Sequence, residues 1–312
     1  MTLLADPTAP PHASGAKRRS LGAHVAALAL VLLALVPLVG TRASFSADEG
    51  AAIVQARSLS RGNGWIVEHP VPQADPTGVG YPLENSERGS RGAAPYAKHP
   101  LYPVLLARAD RLAGVTGMVV LSLVGTLAAA AMAALLARRL DPTLDRPVLW
   151  IVGLGSPLLF DGFLVIGHAL GAALAAAAAL LALRAMERRP PLDALALGPV
   201  IAAGVMLRTE FVFLALALAA TVLIMGFVAR HVAVPAFVAV VTAAAAVAAR
   251  LADREWTGRI LGPTGAGSPL PPGTLAGGGL AGRLRGFVLT WLTPGYGAGG
   301  TVHLALVVML VS

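Results

Sequence analysis

The chain contains no cysteine, so it has no disulfide and no thiol nucleophile, and cysteine usage gives no clue to its redox compartment. Charge is also scarce. Asp, Glu, Lys and Arg together make 13% of the residues, against about 25% in an ordinary soluble domain. That deficit excludes a soluble globular fold. No H-E-x-x-H and no cluster of His with carboxylates occurs, so no metal site announces itself. Internal repeats are absent too. What fills the space is apolar: 56% hydrophobic residues and a mean hydropathy of +0.73. These values describe an all-α polytopic membrane protein. The net charge of +8 does not indicate nucleic acid, because the basic residues stand beside apolar runs, where they set orientation.

The runs define the organisation. Residues 1–20 are polar and end in Lys17, Arg18 and Arg19; Leu21–Gly40 is apolar. A signal peptide would have an apolar core of only ~7–15 residues, so an uncleaved first helix is expected. Further runs cover roughly 113–137, 147–160, 163–184, 194–207, 211–229 and 232–251, with others starting near Phe287 and Thr301. The chain stops inside the last one, so either a truncated C-terminus or an unusual end is expected. If each run crosses once, roughly eight or nine helices span the bilayer. Lys17–Arg19, Arg138, Arg139, Arg146, Arg184, Arg188, Arg189 and Arg230 then share one side. The positive-inside rule makes that side cytoplasmic. The expected layout is a cytoplasmic tail at 1–20 and a membrane domain at 21–312, in the plasma (inner) membrane. Two extracytoplasmic loops are expected, at 42–112 and 252–286, the second Gly/Pro-rich and flexible over 262–282.

The first loop is long enough to be functional. Ser46 to Glu49 fit a capping box; Ala52, Ile53, Ala56 and Leu59 recur at helical spacing, and Gly62-Asn63-Gly64 ends the pattern. An amphipathic helix on the outer membrane surface is expected. Asp48 and Glu49 in its first turn have two readings. They complement the helix dipole, or one of them serves as a general base held at the surface.

Further on, Lys98 and His99 sit between Tyr96 and Tyr102 among Pro95, Pro100 and Pro103. The prolines fix the backbone and the tyrosines suit a membrane interface. Lys98 is either a cation for a phosphate at headgroup level or a snorkelling side chain; His99 is a second phosphate donor. Arg208 and Glu210 lie between two apolar runs with almost no room for a loop. They close a tight helical hairpin as an ion pair, or they place a second cation, oriented by Glu210, at the same phosphate. His168, near Asp161, is a turn residue or a supporting one; His303 has no assignable role.

Together the Asp48-Glu49 pair, YPLENS at 81–86, YAKHPLYPVLLA at 96–107 and LRTE at 207–210 resemble the GT-C superfamily of membrane glycosyltransferases. The likeness is to the family 39 branch, with protein O-mannosyltransferases and the aminoarabinose transferase of lipid A, and covers roughly residues 20–230. Thr209 departs from the proline common at that place in the relatives. The resemblance implies a GT-C-like bundle and transfer of a mannose- or arabinose-like sugar from a polyprenyl-phosphate donor to an extracytoplasmic protein, glycan or lipid. It implies Asp48 as base and Lys98 at the donor phosphate. No cofactor is required, although a divalent ion bridging Asp48 and the phosphate is compatible. The rival expectation is a transporter or flippase of lipid-linked sugar. Such proteins concentrate polar residues in mid-span on broken helices, whereas here they gather at helix ends.

Overall fold

The computed structural model describes residues 20–39, 46–65, 73, 99–188 and 191–261, and among these every regular element is a helix. In chain order they are α1 (Leu21–Val39), α2 (Ala47–Ser60), α3 (Leu101–Leu140), α4 (Asp145–Leu154), α5 (Leu158–Asp161), α6 (His168–Arg188), α7 (Pro191–Leu207), α8 (Phe211–Val228) and α9 (Ala233–Leu261). Five are long and apolar enough to cross a membrane: α1, α3, α6, α8 and α9. α7 is apolar but only 17 residues long. α4 has 10 residues, about 15 Å of helix, and a bend at Ser156 separates it from α5. The expected span at 147–160 is therefore two short pieces. The runs from Phe287 and Thr301 lie outside the described residues, as do 1–19, 74–98 and 262–286.

Both expected loop boundaries shift. Residues 101–112 are not loop but the first arm of α3. Its helix breaks at Ala113 and at Gly114 (φ +60°), where the apolar run was expected to begin. The glycine supplies a backbone conformation that a side chain would oppose. At the other boundary, α9 continues to Leu261, so 252–261 are helix rather than loop. A helix forms at the expected place in the first loop as α2, and Gly62 and Gly64, both at φ +82°, follow its end. It packs on α3. Ala51, Ala52, Gln55 and Ala56 are buried, Ser60 bonds Asp110, and Arg111 donates to the carbonyls of Leu59 and Ser60.

Two apolar clusters carry the bundle. One joins α1, α2, α3 and α4 through Leu28, Leu32, Ala56, Leu106, Met118 and Leu149. The other joins α6, α7, α8 and α9 through Ala182, Leu197, Ile201, Phe211, Val222 and Val238. α3 and α6 link them by close approach at Gly125, where a Cβ would lie 2.7 Å from Leu170 N. Small residues permit such backbone contact between apolar helices. The outward faces stay greasy: Phe213, Leu216, Ile224 and Phe227 of α8 are all exposed. Large apolar area open on that scale suits lipid rather than water.

Candidate functional site

The helix directions sort the polar residues to two ends. At one end α3 starts, α7 finishes, α8 starts and α9 finishes, so residues far apart in sequence meet there. His99 stands just ahead of Pro100, the residue capping α3. Its Nδ1 lies 2.8 Å from Asp253 Oδ2 near the end of α9, and its Nε2 lies 2.7 Å from Thr209 Oγ1 in the α7–α8 turn. Asp253 also accepts from Arg250 Nη1 at 2.8 Å, one helical turn back. The side chains of Asp253 and His99 are 5% and 13% exposed, while Thr209 is exposed. The three groups thus step from interior to surface.

Arg208 turns its guanidinium fork on Glu210, with Nε to Oε2 at 3.2 Å and Nη2 to Oε1 at 3.0 Å. Gly171 makes room for the arginine stem: a Cβ there would sit 3.0 Å from Arg208 Cδ. The bidentate bonds hold the Glu210 carboxyl below its usual 4.5, against a partial opposing effect of burial. The charges of Arg208 and His168 add in the same direction, so His168 belongs to this neighbourhood. His168 itself faces Asp161 at 3.5 Å. Tyr102 is buried, with its ring against Gly167 beside His168.

Asp48 and Glu49, though adjacent, stand in different surroundings. Ser46 caps α2 by accepting from Glu49 N at 3.2 Å, as the capping box requires. Glu49, however, is buried, and its Oε1 accepts from Val165 N at 2.8 Å. It ties the start of α2 to the segment leading into His168. Asp48, next to it, is exposed.

The structure brings His99, Tyr102, His168, Arg208 and Glu210 to one end, and Glu49 joins through Val165. Tyr96 and Lys98 lie outside the described residues. Sequence reasoning missed both Arg250, inside the expected 232–251 run, and Asp253, given to the loop from 252 onward. The signal was their i, i+3 spacing, which continues the helical period of α9. Thr209, noted only as a departure from proline, bonds His99. Among the described residues no group of three His, Asp or Glu side chains could hold a metal ion.

Among the described residues every regular element is a helix and five are long and apolar enough to cross a membrane, as in a multi-pass membrane protein. Compared with known proteins, it matches no family model, no curated protein and no solved structure.

Proposed function

We propose that the protein is a glycosyltransferase. It moves a sugar from a polyprenyl-phosphate donor to a hydroxyl-bearing acceptor at the extracytoplasmic face of the plasma (inner) membrane, with its N-terminus cytoplasmic and a GT-C-like bundle. One observation carries the reading. Charged and polar groups from the α2 start, the lead into α3, the α7–α8 turn and α9 gather at one end of an apolar bundle. A lipid-linked donor needs such a place, with its chain in the bilayer and its phosphate and sugar at headgroup level.

The chemistry follows from the residue types. Asp48, exposed at a capped helix start, takes the proton of the acceptor hydroxyl as that oxygen bonds the anomeric carbon. The bond from that carbon to the phosphate oxygen breaks, and its electron pair leaves with the polyprenyl phosphate. The departing phosphate needs cations. Arg208, held by Glu210, supplies one and Lys98 a second. A single displacement inverts the sugar.

Membranes carrying the protein, incubated with radiolabelled polyprenyl-phosphate mannose or arabinose, test this. Label should move to an acceptor and should not move with Asp48→Asn. Passage of intact lipid-linked sugar across the membrane, with no new glycosidic bond, would establish the transporter reading instead.

A further inference from the structure

His99 was expected to donate to phosphate, but its partners give it another role. A carboxylate only accepts hydrogen bonds. Asp253 Oδ2 already takes Arg250 Nη1, and it also faces His99 Nδ1 at 2.8 Å. The ring proton therefore belongs on Nδ1. In a neutral imidazole the other nitrogen is then an acceptor. With the ring neutral, Nε2 takes the proton of the Thr209 hydroxyl, 2.7 Å away. With its proton committed inward, the Thr209 oxygen has only lone pairs left for a ligand. The hydrogen bonds thus run in one direction, from Thr209 through His99 to Asp253. The outer end is exposed and the inner end buried. Three separate elements supply the three residues: the lead into α3, the α7–α8 turn and α9. A chain ending in an acceptor cannot donate to a phosphate oxygen. It can receive a hydroxyl.

We propose that Thr209 is a sugar-hydroxyl binding residue, with Asp253 the positioning residue that sets its polarity through His99. The inference rests on the glycosyltransferase reading and sharpens it. Arg208, adjacent in sequence to Thr209, would hold the phosphate of the lipid-linked donor while Thr209 accepts from a hydroxyl of its sugar. The contact selects for sugar over bare lipid phosphate and takes no part in bond breaking.

Two measurements test it. The first is the 15N spectrum of purified protein labelled at histidine, at about pH 8, well above the ordinary histidine value, with His99→Gln assigning the resonances. The expected His99 has a protonated Nδ1 and a bare Nε2, and Asp253→Asn should disturb that state. An Nε2–H tautomer or a doubly protonated ring in the wild type would reverse the last bond and overturn the proposal. The second is the affinity of wild type, Thr209→Val and Thr209→Ser for polyprenyl-phosphate mannose, polyprenyl-phosphate arabinose and polyprenyl phosphate. Valine, close in shape but without the hydroxyl, should weaken a sugar-bearing lipid by roughly two- to tenfold, the range of one neutral hydrogen bond. It should leave the bare lipid unchanged, and serine should restore the loss. Equal affinities of wild type and Thr209→Val for a preferred sugar lipid, or an equal loss on the bare lipid, would sink this assignment alone. A wild type that binds sugar-bearing and bare lipids identically would sink the glycosyltransferase reading along with it.

Discussion

The two ends of the helix bundle both carry charged pairs among the described residues and use them differently. At the end away from His99, the pairs close neighbouring helices. Arg184 meets Asp193 at 3.1 Å across the short α6–α7 connection, and Arg139 of α3 meets Glu187 of α6. Each is one contact between two adjacent helices. At the other end His99 touches two remote elements, Asp253 receives two donors, and Glu49 reaches a backbone amide 116 positions away. Buried polar groups are costly unless fully bonded. A bundle that only needed closing could do so with the simpler pairs of the opposite end. The contrast teaches that the first end ties elements remote in sequence together, which is the arrangement the proposed binding site needs.

The sharpest way to break that contrast is at α2, where neighbouring acids have different surroundings. Asp48→Asn should lower sugar transfer by about 10²–10⁴-fold, the usual range for a lost general base, while thermal unfolding of the purified protein stays near wild type. Glu49→Ala should do the reverse. It strands the buried Val165 amide, at a cost of about 1–3 kcal/mol, read as a lower midpoint of thermal unfolding. Glu49→Gln keeps an acceptor and should lose less. If both substitutions at 49 abolish transfer with unchanged unfolding, the division between chemistry at Asp48 and anchoring at Glu49 is wrong.

The same contrast marks what was legible in the sequence. Apolar runs gave the helices because the period and length of a membrane helix are written in local residues. The Ser46 cap was legible for the same reason: Ser46 and Glu49 are three residues apart. The break in α3 was half legible, since the apolar run began at its position, but nothing marked the arm before it as helix. Asp253 was lost for a physical reason. Its meaning comes from His99, 154 residues earlier, and no local pattern encodes such a pairing. Leu251 to Leu261 carries enough Arg, Asp and Glu to look like loop, whereas α9 runs on through it. Glu49 was visible as acidic, but its bond to Val165 was not.

A smaller effect comes from the Arg208–Glu210 pair, which can be titrated. Glu210 has its folded pKa below the ordinary 4.5. Its ionised form is therefore favoured by folding, and that stabilisation is present above about pH 4.5. It fades as pH falls through the lowered value. Thermal unfolding of wild type and Glu210→Gln should differ most near neutral pH and converge as the pH falls below 4.5. The Glu210 side chain is 69% exposed, so solvent screening keeps the gap small. A gap that widens in acid would contradict the sign. Arg208→Lys, which keeps the charge but loses the fork, should remove part of the gap at neutral pH.

The smallest effect is expected at the opposite end. Arg139 and Glu187 join adjacent helices, and the Glu187 side chain is 53% exposed. Exposed pairs contribute about 0–1 kcal/mol, because water screens the attraction and two long side chains lose freedom in forming it. Arg139→Gln should therefore shift thermal unfolding little, and raising the salt should shrink even that, since screening acts on exposed charges first. Transfer should be unaffected, because Arg139 and Glu187 lie at the end away from the His99 group. The control is sharp, as Arg139 and Arg208 are both arginines paired to glutamate near the end of an apolar helix. A loss of transfer in Arg139→Gln comparable to that in Arg208→Gln would mean that charge anywhere near the membrane surface suffices. The two ends would then differ in wiring but not in purpose.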